Sequence, residues 1–217
     1  HNVMLALSTD TARGAARGKT LWQSELGTGD YGSGFDRSKR CAPAEVAAWL
    51  WESIRHGSKG VLFYELRDLH YGHASEAYGM MDYAGRPEPV MSAMQTAGAV
   101  LQQHEKLFAN ARTQTAPVAF VLSRRSYLAE WCHYRHSLPS VDSISGYYRL
   151  FWERNIAVDI LHEEFFDPKA LASYKLIVTP EPAALAPAIT EALRRYVEAG
   201  GTLFSDPMFC WMDADFK

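Results

Sequence analysis

Several signals are scarce in this 217-residue chain, and each scarcity closes off a class of protein. It has only three cysteines, Cys41, Cys132 and Cys210. They are odd in number and far apart, so they make neither a metal-ligand spacing nor a disulfide framework, and they read as buried free thiols. There is no basic run, and the formal net charge is −3, so nothing points to nucleic acid or to a membrane surface. No apolar run approaches the roughly 20 residues that cross a bilayer. No strand leads into a G-x-G-x-x-G turn or a P-loop, which leaves a nucleotide site, and any cofactor of that kind, without support. Internal repeats and low-complexity tracts are absent too. What remains is 47% hydrophobic and 22% charged, an ordinary globular composition for one large or two small domains. The chain opens on a histidine and stops shortly after an apolar strand, and both ends read as cuts within something longer.

The remaining pattern is organised around Lys19–Gly34, KTLWQSELGTGDYGSG. A short strand, Thr20 to Leu26, runs into a loop with four glycines, and Glu25 sits at its C-terminal end. Before it, Asn2 to Ala16 reads as a helix with Val3, Ala6, Leu7 and Asp10 on one face, weakened at its end by Gly14 and Gly18. After it, Pro43 opens a second helix with an apolar stripe of Val46, Trp49, Leu50 and Ile54, closed by Gly57. Val61 to Leu66 is the next strand. A polar loop, Arg67 to Arg86, leads to a long helix from about Pro87–Pro89 to Asn110, with Val90, Met94, Ala97, Leu101 and Phe108 inward. Strands alternating with helices of this length mean a parallel sheet. The long loops follow the strands, on the side where barrels and open α/β sheets carry their sites.

Ala111 to Ala116 is a polar joint. Beyond it a second α/β pattern begins: strands at Pro117–Ser123, Ile156–Leu161, Leu176–Thr179 and Thr202–Ser205, with helices at Ser143–Arg154 and Pro187–Ala199. Four short strands with three connections predict a doubly wound, flavodoxin-like layer. The expected division is 1–112 and 113–217, the second unit truncated at its end.

Three groups of residues could carry chemistry. Glu25 has Trp22 before it and Tyr31 and Phe35 after it; aromatic rings around a carboxylate suit a sugar, although large aromatics also serve as core. The second loop packs Glu65, Arg67, Asp68, His70, His73 and Glu76 into twelve positions, which can line a polar pocket. Its spacing matches no zinc pattern, so no metal is expected. The run WCHYRH, with His133 and His136, reads as a surface loop. An amidotransferase-type reading needs a cysteine on a glycine-flanked elbow, and Phe209–Cys210–Trp211 is too apolar for one.

At this point the chain resembles a known family. LWQSELG at Leu21–Gly27, APAEVAAWLWESIRHG at Ala42–Gly57, and GVLFYELRD at Gly60–Asp68 followed by Glu76 resemble the C-terminal part of the catalytic TIM (β/α)8 barrel of glycoside hydrolase family 42 β-galactosidases. VAFVLS at Val118–Ser123, RLFWERNIAVDIL at Arg149–Leu161, YKLIVTP at Tyr174–Pro180 and LRRYVEAGGTL at Leu193–Leu203 resemble that family's next domain, a flavodoxin-like module that mediates trimerisation. The resemblance implies a retaining glycosidase acting on terminal β-linked sugars of oligosaccharides, galactose above all, without a cofactor. Glu25 matches the nucleophile on the seventh barrel strand. The acid/base belongs to the fourth strand, which is not in this sequence, so this segment alone should not turn over substrate. Glu76 matches a sugar-binding glutamate after the eighth strand; with it Arg67 shapes the sugar pocket, and Trp22, Tyr31 or Phe35 stacks on the sugar. A homotrimer and a cytoplasmic, bacterial-type enzyme are what the family implies.

The chain departs from the family pattern in places. The histidine three residues after the sugar-binding glutamate is Gly79, Trp-Arg at the eighth strand is Leu66–Arg67, and Gln-Pro-Gly after the nucleophile is Leu26–Gly27–Thr28. These departures bear on galactose specificity more than on hydrolysis. The alternative from another class is a non-catalytic carbohydrate-binding or oligomerisation module.

Overall fold

The computed structural model describes residues 2–28, 41–71, 78–135 and 138–213, and the structural statements below concern these. The chain forms two parallel sheets with helices between and around them. The first sheet has two strands, β1 (Leu21–Gly27) and β2 (Ser58–Tyr64). Helix α1 (Asn2–Ala16) precedes β1, α2 (Pro43–Arg55) links the strands, and α3 (Pro89–Gln103) and α4 (Glu105–Asn110) follow β2. The helix expected to run unbroken to Asn110 therefore breaks at His104. Lys59 Nζ donates to the carbonyls of Phe108 (2.8 Å) and Ala111 (2.7 Å), a cation closing the end of α4. Helix α2 begins as its sequence dictates: Pro43 takes the first turn and the Glu45 carboxylate accepts from the Ala42 N–H at 2.9 Å.

The second sheet has the order β4-β3-β5-β6, all parallel, from β3 (Val118–Leu122), β4 (Val158–His162), β5 (Leu176–Thr179) and β6 (Thr202–Ser205). The chain steps from the first of these to one side and then crosses to the other, a doubly wound layer of the flavodoxin type. Helices α5 (Arg124–Tyr134) and α6 (Leu138–Trp152) join β3 to β4, two short 3-10 turns (Glu163–Phe165, Pro168–Ser173) lie between β4 and β5, and α7 (Pro187–Glu198) joins β5 to β6. The side chains of β3 are all buried, as a central parallel strand requires.

Two differences from the sequence reading concern α5 and the cysteines. WCHYRH is not a loop as far as it is described: Cys132 and His133 lie in the last turn of α5, and His136 lies outside the described residues. The α5 start is fixed by Ser123, whose hydroxyl accepts from the Ser126 N–H at 3.3 Å. The cysteines are free but not buried; Cys132 is exposed and the other two are half-covered. Cys210, placed by sequence outside any strained turn, takes a φ of +51° in the turn after β6.

Helix α1 crosses from one sheet to the other. Its apolar face, Val3, Ala6 and Leu7, belongs to the core formed by Val118, Phe120, Tyr148, Val158 and Ile160 of the four-stranded layer. Gly14 makes the approach possible: a Cβ there would stand 2.2 Å from the Ile160 carbonyl oxygen. The opposite face of that sheet packs Ala119, Val121 and Ile177 on Ile189, Leu193 and Tyr196 of α7.

Candidate functional site

Glu25 stands exposed near the C-terminal end of β1. The face of the sheet that carries it is decided by register. Trp22 pairs with Gly60 and Gln23 with Val61, but Leu26 pairs with Phe63, so β1 spends one residue more than β2 across Ser24–Glu25. This is a β-bulge. In strict alternation Trp22 and Glu25 would point to opposite faces; the extra residue brings them to the same one. The Gln23 side-chain amide donates to the Glu25 carbonyl at 2.8 Å and spans the bulge. On the other face, Leu26 is buried and Phe63 packs on the cluster of Val46, Met80 and Val90 beneath α2 and α3.

The Trp22 ring lies over Gly60, where a Cβ would meet ring atoms at 2.6 Å, and the residue is 59% exposed. Leu62, on the same face of β2, is likewise exposed. Tyr64 is the cross-strand partner of Gly27. Its hydroxyl is pushed up from its ordinary value by burial first, then by the charges of Glu65 and Glu25, so it stays a phenol beside the carboxylates.

The loop after β2 is stitched limb to limb. Tyr78 O accepts from Glu65 N–H (3.0 Å), Glu65 O from Met80 N–H (3.0 Å), Leu66 O from Met81 N–H (2.9 Å) and Met81 O from Asp68 N–H (3.0 Å). Thr28 ties the two loops together: its N–H donates to the Tyr64 carbonyl at 3.1 Å and its hydroxyl to that of Tyr78. Asp68 is buried and accepts from the Gly79 N–H at 2.6 Å. A Cβ on Gly79 would meet the Met81 carbonyl at 2.3 Å and Asp68 N at 2.5 Å, so no side chain fits at this position. Burial, and then Asp68, push the Glu65 carboxyl up, while the Leu69 N–H opposes them; Glu65 Oε1 is buried with no hydrogen-bond partner among the described residues.

Of the residues singled out in sequence, Glu25 and Trp22 therefore share one exposed face. Arg67 lies on the second loop, where its guanidinium donates from Nε to the Tyr83 carbonyl at 3.0 Å and from Nη2 to the same oxygen. Tyr31, Phe35, His73 and Glu76 lie outside the described residues. His70 packs its ring against Tyr83, centroids 5.5 Å apart. Among the described residues no group of three His, Cys, Asp or Glu side chains is placed to hold a metal ion, and no helix is long and apolar enough to cross a membrane. The bulge and Tyr64 were not singled out in sequence; alternation alone cannot show a bulge.

A family model described as β-galactosidase matches residues 1–104, and one described as β-galactosidase trimerisation domain matches residues 116–214. The β-galactosidase LacZ of Heyndrickxia coagulans is 25% identical over 166 residues, covering 74% of this chain and 24% of that protein. The β-galactosidase BgaH of Haloferax lucentense is 23% identical over 212 residues, covering 92% of this chain and 28% of its own length. The crystal structure of β-galactosidase from Bacillus circulans sp. alkalophilus superposes with a TM-score of 0.84 at 20% identity, over 99% of this chain and 31% of the other. The chain thus spans about a quarter of the length of the curated relatives it matches. Its fold is the C-terminal part of a TIM barrel, β1 and β2 with their helices, followed by the flavodoxin-like layer. On these matches, end to end and in order, the chain belongs to the glycoside hydrolase family 42 β-galactosidases.

Proposed function

We propose that the protein to which this chain belongs is a retaining β-galactosidase, cleaving terminal β-linked galactose from oligosaccharides, with Glu25 as its nucleophile. One observation carries the reading: Glu25 is an exposed carboxylate at the C-terminal end of a parallel strand, brought by a bulge onto the same face as an exposed tryptophan. Barrel enzymes do their chemistry at that end of their strands, and bulges beside active sites re-aim side chains. The Glu25 carboxylate attacks the anomeric carbon, the glycosidic bond breaks, and the leaving oxygen takes a proton from an acid/base carboxyl about 5 Å away across the bond. That second carboxyl comes from outside this segment, so the segment alone is inactive. Trp22, with Tyr31 or Phe35, stacks on the sugar, and Glu76 binds its hydroxyls. Arg67, whose guanidinium donates to the Tyr83 carbonyl, helps shape the sugar pocket. The joint at 111–116 divides the barrel part (1–112) from the layer (113–217) that assembles the protein into a homotrimer.

The test uses the full-length protein. Mechanism-based labelling with a 2-fluoro-β-galactoside, followed by peptide mapping, is expected to mark the peptide carrying Glu25. Glu25→Gln is expected to lower turnover by about a thousandfold, the loss of roughly 4 kcal/mol of barrier reduction. A loss smaller than about tenfold would sink the nucleophile assignment.

A further inference from the structure

Where α1, α2, α6 and β4 meet, charged side chains cluster around the buried Asp10 and Glu52. His56, at the end of α2, sits between two carboxylates: Nδ1 is 2.9 Å from Asp10 Oδ1 and Nε2 is 3.1 Å from Glu52 Oε1. Both carboxylates are also held by α6. The Tyr148 hydroxyl donates to Asp10 Oδ2 and the Trp152 indole N–H to Glu52 Oε1, each at 2.6 Å. Arg13 of α1 bridges Asp10 (2.9 Å) and Asp159 of β4 (2.8 Å), and the Tyr174 hydroxyl donates to the other Asp159 oxygen at 3.0 Å. Arg55 donates to Glu52 at 3.3 Å and to Asn155, just after α6, at 2.9 Å. A cavity of about 140 Å³ lies beside the cluster, bounded partly by Thr113 and Gln114 of the joint.

The ring geometry dictates the protonation state. A neutral imidazole has one N–H and one lone pair. With a carboxylate oxygen facing each nitrogen, the neutral form would set its lone pair against an anion in a largely buried site. Only the imidazolium satisfies both contacts. The charge balance agrees: His56, Arg13 and Arg55 face Asp10, Glu52 and Asp159, and removing the histidine proton leaves the group net negative.

We propose that His56 is a proton-operated latch at the junction of the barrel part and the flavodoxin-like layer, acting through Asp10 and Glu52, the two carboxylates that α6 also holds. Protonated, it closes α1 and α2 onto α6 and β4; deprotonated, it leaves Asp10 and Glu52 without a shared cation and loosens that junction. The titratable and charged groups facing it are Asp10 and Arg13 from α1, Glu52 and Arg55 from α2, Tyr148 from α6, Asp159 from β4, and Tyr174 beyond it. Burial disfavours the histidine proton, but hydrogen bonds to Asp10 and Glu52, and then their charges, outweigh it and push His56 up from 6.5 to about 9. The folded-state value lies above the unfolded one, so the latch is fully closed below about pH 6.5 and opens as pH rises through about 9.

The experiment is hydrogen–deuterium exchange on the full-length protein at about pH 6.5 and about pH 10, with rates corrected for the intrinsic pH dependence of exchange. Peptides from α1, the end of α2, α6 and β4 are expected to lose protection together at the higher pH, by about a hundredfold, while β5 and β6 hold theirs. Level protection in α1 and β4, or an equal loss in β5 and β6, overturns the latch. His56→Gln is expected to show the loosened pattern already at the lower pH and no further change; a variant that keeps the unmodified protein's pH profile overturns it equally. The measurement on the unmodified protein decides the matter even where the variant fails to fold.

Discussion

Two sets of carboxylates in this chain are held in opposite ways. Asp10 and Glu52 are buried between the two layers, and their oxygens face His56, Tyr148, Trp152 and the guanidinium groups of Arg13 and Arg55. Glu25 is exposed on a bulged strand, with its backbone carbonyl engaged by Gln23 and its side chain on the open face. A carboxylate that joins two pieces of structure spends its lone pairs and is worth its place only while every partner is present. A carboxylate that is to attack a substrate keeps them. Asp10 and Glu52 are thus told from Glu25 by how fully their oxygens are satisfied among the described residues, and the difference can be tested residue by residue.

The largest effect separates the sets by kind of loss. Glu25→Gln is expected to remove nearly all turnover while shifting unfolding free energy by no more than about 0.5 kcal/mol, as surface changes do. Asp10→Asn, which strips the charge from one side of the latch, is expected to cost about 3 kcal/mol of stability. Activity is then expected to fall only as far as the fraction folded falls. Chemical denaturation and turnover measured on the same samples check both; stability loss at Glu25 without loss of turnover would break the comparison.

A pH series sharpens it. Burial pushes the Glu52 carboxyl up, but hydrogen bonds from His56 and Trp152, with the charges of His56 and Arg55, hold it below the usual carboxylate range. Its folded value is depressed, so its contribution is present above about pH 4.5 and is lost as pH falls through that lower value. With the His56 contribution fading above about pH 6.5, the junction is expected to be firmest between these limits. Loss of the histidine contribution amounts to about 3 kcal/mol at high pH. Unfolding midpoints in denaturant from acid to alkaline pH check the plateau. A smaller effect comes from packing alone: Gly14→Val, driven against the Ile160 carbonyl, is expected to cost about 2 kcal/mol without altering the pH profile.

Sequence carried most of the fold because its helices and strands are periodic. The extent of α1 and the buried positions Val3, Ala6, Leu7 and Asp10 follow from one face repeating every three to four residues. A charged residue on that apolar face was the one visible trace of the latch; its partners His56, Glu52, Tyr148 and Trp152 come from distant helices, and spacing cannot join them. Helix α5 was hidden because RRSYLAEWCHY has no apolar stripe; it is held by the Ser123 cap and by Glu130, which accepts from the Ser140 N–H at 3.4 Å. The break at His104 lies in a run without proline or glycine, so nothing local announces it. Near the site, the position of Glu25 at a strand end was legible, but the face it points to was not. A one-residue bulge reverses the alternation on which such a reading rests.

The smallest expected effect tests that bulged face itself. Trp22 is 59% exposed in this segment, and Trp22→Ala removes its ring from the face that carries Glu25. If its ring stacks on the sugar held by Glu25, KM rises by about tenfold with kcat nearly unchanged, the loss of about 1.4 kcal/mol of binding shared by ground state and transition state. Gly60→Ala reaches the same ring from the partner strand: its new Cβ, 2.6 Å from ring atoms, must push the indole aside. The two variants are therefore expected to raise KM alike, and the double variant to add little to Trp22→Ala, because neighbours acting through one ring are not additive. Additive losses would mean that Gly60 acts on the site by another route, and unchanged KM in both would place the sugar away from the face that the bulge assigns to Glu25.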